Sequence, residues 1–73
     1  HCSGIQIEEA NLEGADLTYA NLEGCNLKNA FLLEANLHGT NFTNANLMDA
    51  YMVDANIAKA ITKGANLENT ILQ

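Results

Sequence analysis

Every fifth residue of this chain has the same chemical character, and that period fits neither a helix nor a flat strand. From Ala10-Asn11-Leu12-Glu13-Gly14 to Ala65-Asn66-Leu67-Glu68-Asn69 the chain reads Ala-(Asn or Asp)-Leu-x-x without a break in register. A helix turns about 100° per residue, so a step of five turns by about 140° and scatters the leucines around the barrel. In a strand, side chains alternate faces, so leucines five apart would point alternately to core and to water. The pattern buries a continuous core only if the chain turns a corner once per pentad. Every fifth side chain then points at a common axis, and one coil stacks on the next as a solenoid.

The central hydrophobic column runs from Ile7 to Leu72, and Thr62 is its one polar occupant. Two residues earlier stands a column of small residues that is almost entirely alanine, with Ile5, Cys25, Thr40 and Thr70 as its exceptions. Both columns are expected to point inward. A close-packed interior that takes a large side chain from every side has room for only a small one beside it, so Ala35→Leu is expected to clash. Gly14, Gly24, Gly39 and Gly64 close their pentads, where tight turns favour glycine. The absence of proline fits a backbone whose amides are needed in ladders.

These residues resemble the pentapeptide-repeat family, whose motif is a small residue, Asn or Asp, Leu or Phe, then two variable positions. The resemblance covers residues 5–72 and implies an all-β fold, a right-handed quadrilateral β-helix with four pentapeptides per coil and about 3.5 coils. Residues twenty apart then stack, with Leu22, Phe42 and Thr62 in one interior ladder and Leu17, Leu37 and Ile57 in another. At the β-ladder spacing of about 4.8 Å the rod is roughly 17 Å tall. Residues 1–4 read as an N-terminal cap or a remnant of how the chain was produced, and residues 5–73 as the repeat domain. With His1 in place of Met and Ile71-Leu72-Gln73 stopping in mid-coil, the ends look barely capped. The expectation is a solenoid that continues in a parent protein, or coil ends that meet between copies.

Sorting by twenties also maps the surface. The side holding 5–9, 25–29, 45–49 and 65–69 carries Glu8, Glu9, Asp49 and Glu68 against Lys28. Its neighbour, 10–14, 30–34, 50–54 and 70–73, carries Glu13, Glu34 and Asp54 with no base. On the other two sides Asp16 balances Lys59 and Glu23 balances Lys63, so the whole net charge of −6 falls on two adjacent sides. Such a field disfavours nucleic acid and membranes and steers basic partners, although a merely solubilising surface would look the same. On the second acidic side the motif itself breaks. Phe31, Tyr51 and Ile71 replace Asn or Asp, with Leu33 and Val53 in the column beside them. This apolar stripe reads either as a stabilising ladder of stacked side chains or as a contact surface for a protein partner or a second copy.

The two cysteines are too few for a disulfide scaffold. Cys25 stands in the small inward column and reads as a buried substitute for alanine. In strict register Cys2 belongs to the preceding coil, which makes a bridge to Cys25 awkward, although a loose N-terminal cap could bend back to reach it. His1, Cys2 and His38 do not converge as a zinc site, and the stacked acids Glu34 and Asp54 read as solvated rather than as a calcium site. No Ser, His and carboxylate share one outward patch, so no enzyme, metal or cofactor is expected. The expected role is a non-enzymatic structural or protein-interaction module. It would contact a protein, or associate with itself, through a coil end or the apolar stripe. The family resemblance implies an alternative, an acidic rod that mimics DNA toward a type II topoisomerase. The chain has the acidity for this but not the length. No run of about eighteen apolar residues or basic leader is present, and the compartment, cytoplasmic or lumenal, stays open.

Overall fold

The computed structural model describes residues 9–71, which wind as coils of twenty residues with one corner per pentad. Each Asn-type position forms a single-residue parallel bridge to the residue twenty further on, as in Asn11↔Phe31↔Tyr51↔Ile71 and Asn26↔Asn46↔Asn66. Among the described residues the ladders consist of these isolated bridges, and no continuous strand forms. The reason lies in the pentad. A turn occupies the two residues after each central position, so too little extended chain remains for a longer strand.

Every amide of a regular pentad has a defined acceptor. The small residue closes the turn by donating to the central residue three before it, from Ala15 N–H to Leu12 C=O through Thr70 N–H to Leu67 C=O. The residue that ends the turn has φ between 58° and 72°, and the residue before it does not have positive φ. This is the type II arrangement. The central amide and the turn-ending amide donate to the following coil, as Leu12 does to Phe31 C=O at 2.7 Å and Gly14 to Leu33 C=O at 2.9 Å. The Asn-position amide donates back to the preceding coil, as Phe31 does to Ala10 C=O at 2.9 Å.

The fifth amide explains why Asn or Asp recurs. The side-chain Oδ1 of each such residue accepts from the N–H two residues on, at 3.0–3.2 Å in nine pentads. In Asn46 the bonded amide is that of Met48, and the pair is partly buried. Asn46→Ala is expected to lower stability by about 1 kcal/mol, or about 4–8 °C in melting temperature for a domain of this size. Asn56→Ala, whose amide partner is exposed, is expected to cost less, and thermal melts of the two variants measure the difference.

The left-handed corner costs energy unless glycine occupies it, yet nine of these corners are not glycine, among them Tyr19, Glu34 and Lys59. Asn29, Asn44, Asn69, Asp49 and Asp54 tolerate the conformation best. Gly39 is one of two corners, with Gly64, where glycine is needed twice over. Its φ is +70°, and any Cβ there would collide with the ring of Tyr19 lying against it.

The core is the inner bore of the coil. Leu27, Leu32, Leu37, Leu47 and Phe42 are fully buried, and Ala30, Ala35, Ala45, Ala50 and Cys25 fill the small column beside them. Thr40, buried in that column, donates its hydroxyl to Leu17 C=O at 2.8 Å. Thr70 donates to Leu47 C=O at 2.9 Å in the same way. Hydrogen bonding thus reconciles these threonines with an inward column. The expectation of Cys25 as a plain substitute for alanine needs correction. It is buried, but it is disulfide-bonded. The chain's other cysteine, Cys2, lies outside the described residues. Ile5, Ile7, Glu8 and Leu72 also lie outside them.

Candidate protein-interaction surface

The bridge register sets the outward columns as firmly as the inward ones. Phe31 and Tyr51 are bridge partners, as are Tyr51 and Ile71, so their side chains leave the same side of successive coils. The two rings stack with centroids 5.1 Å apart and planes 4° from parallel. Phe31 is 41% exposed, Tyr51 38% and Ile71 41%. Leu33 and Val53 are half-buried beside them. The five residues therefore form one surface running along the axis of the coil.

Carboxylates flank this surface on both edges. Glu34 and Asp54, exposed at left-handed corners, follow Leu33 and Val53 on one edge. Glu9, exposed, and Asp49, half-buried, occupy the corners that lead into the stripe from the neighbouring side. Glu13, also exposed, stands one coil below Leu33, and Glu68 lies on the adjacent side. Glu8 lies outside the described residues. Away from the stripe, Thr18 holds the Asp16 carboxyl below its ordinary value, through its hydroxyl first and its amide second, since both stabilise the ionised form.

The stripe has an energetic cost. Phe31 and Tyr51 stand where Asn would accept the amides of Leu33 and Val53, so two rungs lack that side-chain cap. Each cap contributes about 1 kcal/mol. The ring stack returns about 0.5–1.5 kcal/mol for the pair. Each ring also buries more than half of its surface, a gain that comes on top of the stack, so burial and stacking offset the lost caps.

Two further apolar features emerge in three dimensions. Tyr19, 70% exposed, meets His38 edge to face with centroids 5.4 Å apart. Its sequence signal is the twenty-residue step from Tyr19 to Gly39, which leaves room for the ring. At the last described coil an apolar cleft of about 220 Å³ is lined by Phe42, Leu47, Met52, Ile57, Ala60, Thr62 and Leu67. Ile57 and Leu67 are 44% and 45% exposed there, whereas the equivalent Leu37 and Leu47 one coil earlier are fully buried. Among the described residues no group of three His, Cys, Asp or Glu is placed to hold a metal.

Comparison with known proteins agrees with this geometry. The sequence signature of pentapeptide repeats matches residues 2–33 and 15–52, in 8 copies. A pentapeptide repeat protein from the cyanobacterium Cyanothece 51142 is 39% identical, with a TM-score of 0.88 over 93% of this chain and 47% of its own. HetL, a pentapeptide repeat protein involved in heterocyst differentiation regulation in the cyanobacterium Nostoc sp. strain PCC 7120, is 26% identical. Its TM-score is 0.72 over 92% of this chain and 40% of its own. A third, also from Nostoc, is 34% identical with a TM-score of 0.62, over 82% of this chain and 58% of its own. The chain thus spans less than two thirds of the length of each. No curated protein sequence matches.

Proposed function

The chain belongs to the pentapeptide-repeat family, and from that premise we propose that it is a non-enzymatic protein-interaction module whose contact surface is the stripe of Phe31, Leu33, Tyr51, Val53 and Ile71. One observation carries the reading: two stacked rings stand exposed and rimmed by carboxylates where the repeat mostly holds Asn or Asp. An exposed apolar patch with a polar rim marks a contact surface. The likeness to structures of the family also supports a right-handed winding.

The alternative of DNA mimicry has its net charge on two of four sides only. The disulfide at Cys25 supports a compartment that keeps thiols oxidised, lumenal or periplasmic rather than cytoplasmic.

Sedimentation and co-purification of the wild type beside Tyr51→Asp and Phe31→Asp test the stripe. Partner capture is expected to be lost in both variants while circular dichroism and melting stay near wild type. A variant that keeps all its associations removes the stripe from the function.

A further inference from the structure

We propose that the stripe receives an amphipathic helix with basic flanks, lying along the coil axis; the inference rests on the reading of the stripe as a contact surface and names what fits it. Three observations select this occupant. The first is spacing. Successive apolar rungs are 5.1 Å apart at the Phe31 and Tyr51 rings, and a helix rises about 5.4 Å per turn. A helix parallel to the axis therefore places one apolar side chain per turn, at positions i, i+4 and i+7, against the rungs of Phe31, Tyr51 and Ile71.

The second is the state of the backbone beneath the stripe. The amides of Phe31, Leu32, Glu34, Tyr51 and Met52 are already bonded within the ladder, so an extended partner laid on this side finds only the half-buried amides of Leu33 and Val53 to bond. A helix, which satisfies its own backbone, loses nothing by that. The third is charge. Glu34 and Asp54 line one edge, Glu9 and Asp49 the other, and Glu13 the lower end, so lysines or arginines flanking the helix's apolar face meet a carboxylate on either side. The same acids exclude a second copy docking stripe to stripe, which would set carboxylate against carboxylate.

The test titrates the isotopically labelled full chain with two synthetic sixteen-residue helical peptides. Both carry leucine at i, i+4, i+7 and i+11. One has lysine and arginine at the flanking positions, and the other has glutamate there. The basic peptide is expected to shift the amide resonances of Phe31, Leu33, Tyr51 and Val53. Its affinity is expected to be at least tenfold above that of the acidic peptide and to fall with added salt. The double variant Glu34→Lys with Asp54→Lys is expected to reverse the preference between the peptides. If the two peptides bind the stripe equally, the charge-selected partner is overturned and the contact surface stands. If neither shifts these resonances, or the shifts fall on other sides, the helix is overturned; loss of the associations through Tyr51→Asp is read independently in the sedimentation experiment.

Discussion

Phe42→Ala is expected to lower the melting temperature by roughly 15–30 °C, or to leave the domain unfolded at ambient temperature. Phe42 is the largest fully buried side chain, at 1% exposure. The neighbours above and below it in register are Leu22, which is only partly buried, and Thr62, which is exposed and polar. Among the described residues no other aromatic ring lies in the core, so no side chain of equal volume stands beside it. Truncating a buried phenylalanine costs about 3–5 kcal/mol. A domain of 73 residues has a total stability on the order of 4–11 kcal/mol, and each kcal/mol shifts its melting temperature by about 4–8 °C. Circular dichroism melts of wild type and variant measure the effect. A loss under about 5 °C would mean that the bore is loosely packed at this coil.

Reduction of the Cys25 disulfide is expected to lower the melting temperature by roughly 10–20 °C. A disulfide restrains the unfolded chain by about 2–4 kcal/mol in the chain-entropy account. Its position increases the consequence. A solenoid is held coil by coil and opens from its ends, and in the first described coil Leu12, Leu17 and Leu22 are only partly buried. Cys25→Ala separates the crosslink from packing, because alanine is the usual occupant of that inward column and fits it. The variant is expected to melt near the reduced wild type and to be insensitive to reductant. Equal melting of Cys25→Ala and oxidised wild type would show that the crosslink contributes nothing to stability.

Much of this protein is legible before any coordinates. The five-residue step excludes helix and flat strand, and the twenty-residue stack follows once four corners close a coil. The bridges Asn21↔Asn41 and Asn41↔Ile61 have that register. Assignment of columns to inside and outside follows as well, down to Ala35 and Leu37 at 0% exposure. The stripe of Phe31, Tyr51 and Ile71 is legible as a departure from the motif, because a regular background makes an exception visible. The glycines mark four left-handed corners, but the other nine carry ordinary side chains, since the ladder on either side holds the corner whatever residue occupies it.

What the sequence by itself determined is periodic: which residues face the bore, which face water, and on which side each charge lies. These follow from the repeat because a solenoid maps position along the chain onto position in space by one fixed rule. What only the tertiary structure decided is whatever depends on contact between particular atoms across coils. The parallel stack of Phe31 on Tyr51, the ring of Tyr19 resting over Gly39, the hydroxyl of Thr40 reaching Leu17 C=O and the crosslinked state of Cys25 are all of this kind. A period states which residues are neighbours, and the distances and angles between their side chains decide whether those neighbours stack, bond or crosslink.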